Sequence, residues 1–577
     1  MKLVDALRIL REAPHNAKPF LTFLACGFTP GHLQTFLAAN LQTLLPDRCV
    51  EVTTGLYGDI AGNIGQIDTL DGEAAAVILE WSDIDPRLGI RSLGGWGPKQ
   101  LEDILRSLLP QLNRIKEHLQ NASARHQVVV SLPSLQIPPI AFTPTWQASS
   151  FEQELEEEVA RLGSWIVRQP NLKLINSAYL TRHSSGFDRF DVQSEVLSGF
   201  PYGLSFASRL AQALAQLIIN RVPKKGIITD LDDTIWRGIL GEVGIEGISW
   251  SLERRGHMHG LYQQLLRALS EEGVLIAVAS KNNPSIVQQA LKSDRMFLSA
   301  KDVFPMEAHW GRKSESVSRI LKTWNVSAES VVFIDDSPME LAEVKATHPE
   351  IECILFPKDD YKAVYLLLTD LRDLFGKTSI TKEDSIRMES IRHSAIFKES
   401  VDDPFSADDF LRQAEAKLEL SLHKIPVDPR ALELVNKTNQ FNLNGKRLSE
   451  TEWQAFLGNP ESFLLVAEYQ DKYGPLGKIA VLAGRNVDNK TCVEVWVMSC
   501  RAFSRRVEHC CLAYLFDKFA SEEIILDFKV TEKNGPFQYF LSEFSPQPSA
   551  LGLRIPRGSF IAKCPARFHS IRELNDE

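Results

Sequence analysis

Apolar runs that stop abruptly at polar residues, spaced by helical stretches between residues 226 and 335, constrain this chain more than any other feature. "GIITDLDD", "GVLIAVASKNN", a stretch near "DVFP" and "ESVVFIDDSP" read as strands with helices between them, which predicts a parallel sheet. The carboxyl ends of such strands line one crevice, so groups spread over a hundred residues can converge there. The first run ends in Asp230, Asp232 and Thr234, the second in Ser280 and the last in Asp335 and Asp336, with Lys313 between the last two. Crowded carboxylates repel and are driven toward protonation unless a cation neutralises them. A hard divalent ion such as Mg²⁺ suits a carboxylate set better than zinc does.

The rest of the chain repeats the strand-helix theme. Residues 1–220 alternate strands ("PFLTFLACGF", "CVEVTTGLYGD", "AAAVILEWSDID", "HQVVVSLPSL") with helices, and the helix "SFASRLAQALAQLIINRVPKK" runs into a Pro-Lys-Lys break. Residues 221–376 form the central domain. Residues 377–425, with "SITKEDSIRMESIRHSAIFKES" and "SADDFLRQAEAKLEL", read as a charged helical connector. Residues 426–577 combine strands in "SFLLVAEYQDKYGPLGKIAVLAG" and "TCVEVWVMSC" with the helix "VEHCCLAYLFDKFA". No fixed-period repeat or low-complexity tract is evident.

Composition excludes several classes. A net charge of −10 with mixed signs argues against a nucleic-acid footprint, which needs a basic face. The longest apolar runs fall far short of the roughly 18 residues of a membrane span. The first residues keep acidic side chains and lack the apolar core of a secretion signal, so a cytoplasmic location is expected. Eight scattered cysteines suggest neither a zinc site nor a disulfide framework.

"DLDDT", a strand ending "VAS", a lone lysine and "FIDD" resemble, in order, the four motifs of the haloacid dehalogenase (HAD) phosphatases. The resemblance implies that Asp230 is the nucleophile and that Asp232 protonates the leaving oxygen and then activates water. It implies that Ser280 and Lys313, with Thr234, Lys281 and Asn282 beside them, hold phosphate oxygens. Asp230, Asp232, Asp335 and Asp336 would hold Mg²⁺. Phosphoryl transfer depends on positioning and charge neutralisation, and such a set supplies both. The gaps around Ser280 hold no domain-sized insertion, so the fold is capless and the crevice is expected to be open, which suggests that part of the substrate is itself a protein.

"DLDDTIWRGILGEVG", "ASKNN", "FIDDSPME", "TKEDSIRMES", "NKTNQFNLNGKRLSETE" and "WVMSCRAFSRRVE" together resemble the FkbH-like proteins of polyketide pathways, over roughly residues 220–565. This resemblance implies a multidomain α/β chain. Its N-terminal domain would be SGNH-hydrolase-like, its centre a doubly wound HAD-like sheet and its C-terminal domain a GNAT-like α+β fold. The implied activity takes 1,3-bisphosphoglycerate, a small phosphorylated three-carbon substrate, removes phosphate and passes the glyceryl unit to the phosphopantetheine arm of an acyl carrier protein. A lactyl unit, a stand-alone phosphomonoesterase and a non-enzymatic scaffold are the alternatives.

Two departures matter. Ala279 precedes Ser280 where relatives often carry a cysteine, so the thiol candidate becomes Cys500, next to Arg501, Arg505 and Arg506. Cys510 and Cys511 lie in an apolar helix and read as core. "RAFSRRVE" has Ser504 and Arg506 where a GNAT helix start presents glycines to a pyrophosphate, which disfavours ordinary acetyl-CoA binding. The N-terminal region has no Ser or His where SGNH chemistry needs them, His183 reading as a loop residue, so it is expected to bind or dock.

Overall fold

The computed structural model describes the chain except residues 70–71, 183, 185, 220–221, 293–295, 394–406, 426, 473, 488–489, 504, 545, 550–551 and 575–577. The side chains of several others, Cys500 among them, also lie outside the described residues. The chain forms two compact units, Met1–Arg221 and Val222–Glu577.

The first unit is built on a five-stranded parallel sheet of β1 (Pro19–Ala25), β2 (Cys49–Thr54), β3 (Ala74–Ile78), β4 (Gln127–Ser131) and β5 (Leu172–Leu174), in the order β2-β1-β3-β4-β5. Successive side chains of a strand face opposite ways. Phe20, Leu24 and Ala76 accordingly pack on one face with Phe36 and Leu210, while Phe23, Ala75 and Val77 pack on the other with Leu108 and Leu155. Helices on both faces explain why β3 is buried throughout and reads as an unbroken apolar run.

The second unit begins with another five-stranded parallel sheet: β6 (Gly226–Thr229), β7 (Leu275–Ser280), β8 (Met306–Ala308), β9 (Val331–Asp335) and β10 (Glu352–Leu355), in the order β10-β9-β6-β7-β8. β6 sits at the centre, where the strand order reverses, and that is where an open α/β sheet forms its crevice. The strand expected near "DVFP" starts just after it, because Pro305 cannot donate to a ladder. β10 escaped the sequence reading, since its four residues are only partly buried.

The same unit continues into a nine-stranded mixed sheet. Its strands are β11 (Lys417–Ser421), β12 (Phe441–Asn442), β13 (Ser462–Asp471), β14 (Gly474–Val487), β15 (Lys490–Met498), β16 (Glu523–Leu526), β17 (Gln547–Ser549), β18 (Gly552–Pro556) and β19 (Ser570–Leu574). The helix expected through "KLEL" stops at Gln413, and Lys417–Ser421 is a strand instead. Leu418 and Leu420 are buried two residues apart, the period of a strand and not of a helix. β15 and β16 pair only through Thr491–Val493 and Ile524–Leu526, and further along β12 pairs with Val497 and Met498 of β15. Asn444 Nδ2 bonds the carbonyls of Glu494 and Asp527, tying the two strands where they separate.

Among the described residues, no helix is long and apolar enough to cross a membrane. Gly226 opens β6 directly against the indole of Trp324, and a Cβ there would lie 2.5 Å from the ring. The ring cannot yield easily, because Trp324 is buried and its Nε1 donates to Phe304 O at 2.7 Å. Gly226→Ala is therefore expected to destabilise the second unit by about 1–3 kcal/mol through overpacking. Urea unfolding against wild type checks this, and an unchanged midpoint would contradict it.

Candidate active site

β6 delivers Asp230, whose backbone N–H donates to Ile334 O of the neighbouring strand and so holds the strand ends in register. Leu231, Ile235 and Trp236 are fully buried and anchor the turn that follows. Within it Asp233 takes a left-handed conformation (φ 51°), which aspartate tolerates, and its Oδ1 accepts from Gly238 N.

Lys313, at the start of the helix Lys313–Trp324, is 4% exposed and reaches two carboxylates. Its Nζ lies 2.9 Å from Asp230 Oδ2 and 2.6 Å from Asp335 Oδ2. Asp335 Oδ1 accepts from Ser337 N, whereas Asp230 Oδ1 is buried without a hydrogen-bond partner among the described residues. Two buried carboxylates thus share one ammonium. Burial raises the Asp230 carboxyl, opposed by Lys313 and Ser280, and pushes Asp335 up to about 6, with repulsion from Asp230 adding to it. Burial alone would lower Lys313, but Asp230 and Asp335 outweigh it and hold the ammonium up.

Among the described residues, Asp230, Asp335 and Asp336 offer oxygens that lie within 4.8 Å of one another. Hard divalent cations take carboxylate oxygens in this way, and the negative charge that a single ammonium leaves unbalanced fits that role. Asp232 was expected in this set and does not join it. Its Oδ1 accepts from Trp236 Nε1 at 2.8 Å and Leu240 N at 3.0 Å, and its Oδ2 accepts from Asn282 Nδ2 at 2.9 Å. These donors hold its carboxylate apart from the other three.

The expected phosphate-binding residues divide. Ser280, at the end of β7, draws the Asp230 carboxyl's pKa down, and Asn282 Nδ2 donates to both Ser280 Oγ and Asp232 Oδ2. Lys281 turns the other way and pairs with Glu340 at 2.8 Å, because successive residues at a strand end point in opposite directions. Thr234 is completely buried. Its carbonyl accepts from His259 Nδ1 if that nitrogen carries the proton, and its hydroxyl makes no hydrogen bond among the described residues.

Among the described residues, no inserted domain covers the site, yet Asp230, Lys313 and Asp335 are buried, because each caps a strand or helix end and points into the shared ion pair. The crevice is therefore tighter than the missing cap suggested. Lys358 was not anticipated. It follows β10 and bridges Asp233 at 2.7 Å and Asp336 at 2.8 Å, fixing the third carboxylate. Only recognition of β10 could have pointed to it.

The other candidates lie elsewhere. Cys500 opens a short turn after β15, and its side chain lies outside the described residues. Two of the neighbouring cations are engaged: Arg505 pairs with Asp471 at 3.4 Å and Arg506 with Asp408 at 2.5 Å. Cys510 and Cys511 are buried in the helix Val507–Lys518, and burial pushes the Cys510 thiol up to about 12. In the first unit, Cys26 follows β1, and its thiol is also pushed up to about 12, by burial and then by Asp83. It stays protonated at neutral pH and is no nucleophile. Glu80, after β3, is buried and accepts from Tyr202 and Ser134. His183 lies outside the described residues.

No protein-family model and no curated protein matches the chain. Among solved structures, 66% of the chain aligns with all of the N-terminal part of the protein BF1531 from Bacteroides fragilis, containing a phosphatase domain complexed with Mg. The TM-score is 0.54 and the identity 21%, so the likeness is one of fold. An uncharacterized protein from Corynebacterium glutamicum ATCC 13032 aligns over 27% of this chain and 98% of its own, with 13% identity and a TM-score of 0.19, too low to carry an argument.

Removing the shared ammonium by Lys313→Met leaves two buried carboxylates without a counter-charge. Breaking a buried ion pair of this kind costs roughly 3–5 kcal/mol. Urea unfolding at neutral pH in EDTA is expected to show a loss of that order. Millimolar Mg²⁺ is expected to restore more stability to the variant than it adds to wild type, and an equal effect on both would count against a cation at this cluster.

Proposed function

We propose that the chain is a Mg²⁺-dependent HAD-type phosphatase acting through Asp230. The observation that carries this reading is the unbonded, buried Oδ1 of Asp230 beside Lys313, Asp335 and Asp336. The BF1531 fragment, a phosphatase domain with Mg bound, has a comparable fold and supports it.

Asp230 Oδ1 attacks phosphorus, forming an aspartyl-phosphate as the bond to the leaving oxygen breaks. Asp232 gives that oxygen its proton. Its Oδ2 accepts a single bond, from Asn282, which leaves it room for a proton. Asp232 then removes a proton from water, which attacks phosphorus, and phosphate leaves with Asp230 restored. Lys313 and Ser280 orient Asp230 and neutralise the phosphoryl oxygens throughout. Asp230, Asp335 and Asp336 would hold Mg²⁺, which would supply the remaining counter-charge.

Asp230→Asn is expected to reduce Mg²⁺-dependent release of inorganic phosphate from a small phosphate ester by at least ~10³-fold, or about 4 kcal/mol. A variant retaining a tenth of wild-type release would remove Asp230 from the nucleophile role.

The finer reading follows from the FkbH-like motifs. The substrate is an acyl phosphate such as 1,3-bisphosphoglycerate, and the glyceryl or a related hydroxyacyl unit passes to the phosphopantetheine thiol of an acyl carrier protein, with Cys500 as the intermediate acyl carrier. The C-terminal and N-terminal domains serve on this reading as GNAT-like and SGNH-like docking modules. Ion pairing of Arg505 and Arg506 weakens their pull on a Cys500 thiol, and this favours a second reading, a stand-alone phosphomonoesterase. Intact-mass measurement of a holo acyl carrier protein after incubation with enzyme, Mg²⁺ and 1,3-bisphosphoglycerate separates the two. A gain of one glyceryl unit that disappears in Cys500→Ser, with phosphate release kept, supports the transfer reading, and no gain with wild type rejects it.

A further inference from the structure

Asn282 stands in the turn after β7 and is 4% exposed. Its neighbours fix the backbone on either side. Ser280 ends β7, Asn283 Oδ1 accepts from Ser285 N at 2.9 Å, and Pro284 opens the helix Pro284–Ala290. A buried side chain on a backbone held at both ends has little freedom to reorient.

Its Nδ2 carries two hydrogens, and both have an acceptor: Asp232 Oδ2 at 2.9 Å and Ser280 Oγ at 3.1 Å. The orientation of the amide follows from the chemistry of these partners, since a carboxylate only accepts and would repel Asn282 Oδ1. A hydroxyl that accepts from Asn282 keeps its own hydrogen for another acceptor, which suits Ser280 to the phosphoryl oxygens. One amide thus joins the carboxyl assigned to proton transfer with the hydroxyl at the phosphate position.

The three donors on Asp232 do different things. Trp236 Nε1 and Leu240 N both reach Oδ1, and both belong to the turn that Asp232 itself begins, four and eight residues on. They hold the carboxyl relative to its own turn. Asn282 lies fifty residues away, beyond the neighbouring strand β7, and bonds Oδ2, the oxygen that has room for a proton. It therefore sets where that oxygen stands relative to Ser280. Proton transfer needs donor and acceptor atoms within about 2.6–3.2 Å of each other. A misplacement of about 1 Å can cost about 10²-fold in rate.

We propose that Asn282 is a positioning residue for proton transfer: its Nδ2 holds Asp232 Oδ2 in register with Ser280, so that the proton meets the leaving oxygen as its bond to phosphorus breaks. On the phosphatase reading, from which this follows, Asp232 is the acid and Asn282 aims it, where the motif resemblance had Asn282 hold phosphate. Asp230 Oδ1 supplies the electron pair of the new bond to phosphorus. The leaving oxygen departs with the pair of the old bond and takes the proton of Asp232, and Asn282 gives up none. The need for that proton grows with the basicity of the leaving oxygen. A nitrophenolate departs readily without one, and an ethoxide does not.

Mg²⁺-dependent phosphate release from p-nitrophenyl phosphate, phenyl phosphate and ethyl phosphate by the full chain tests this, compared as kcat/KM, which reads the steps up to departure of the leaving group. Hydrolysis of the aspartyl-phosphate is common to all three. Asn282→Ala is expected to lose about 10²-fold more on ethyl phosphate than on p-nitrophenyl phosphate, with phenyl phosphate between them. Asp232→Asn is expected to show the same ordering more steeply. Adding Asn282→Ala to Asp232→Asn is expected to cost no more than about threefold further on ethyl phosphate, because Asn282 acts through Asp232. Should Asn282→Ala fail to fold by circular dichroism, Asn282→Ser, which keeps one donor, replaces it with the same ordering expected. An equal loss on all three substrates, or a full additive loss in the double variant, would overturn the proposal while Asp232→Asn still shows the ordering. If Asp232→Asn itself loses equally on all three, the phosphatase reading of Asp232 falls and the proposal falls with it.

Discussion

The ammonium of Lys313 between Asp230 and Asp335 is the interaction on which the second unit turns. It joins the ends of two neighbouring strands to the start of a helix and makes the burial of two carboxylates tolerable. Desolvation of either carboxylate without that cation would cost several kcal/mol. The pairing is still incomplete, one positive charge against two negative, and the same imbalance that costs stability leaves Asp230 with an oxygen free to react.

The surroundings keep the roles of the aspartates distinct. Asp232 is held by three donors and kept out of the carboxylate cluster. Asp336 is drawn toward Lys358, which also pairs with the left-handed Asp233. Three neighbouring aspartates thereby acquire different environments: Asp230 an ammonium and an unbonded oxygen, Asp232 a neutral hydrogen-bonded cradle, Asp233 a structural ion pair. Separate environments are what acid-base and nucleophilic roles need.

Strand periodicity and the motif order were enough to place β6, β7 and β9 and to nominate Asp230, Ser280, Asn282, Lys313, Asp335 and Asp336, because a carboxyl-end crevice follows from parallel topology alone. Sequence could not say which way each nominated side chain turns. Lys281 goes to Glu340 and Thr234 sinks into the core, and both outcomes depend on neighbours from distant segments. Lys358 was invisible for a related reason. It depends on a short edge strand without a periodic signal. Local pattern determines which elements form and which residues end them. Long-range packing decides which charges meet, because an ion pair depends on distance in space and the sequence records only distance along the chain.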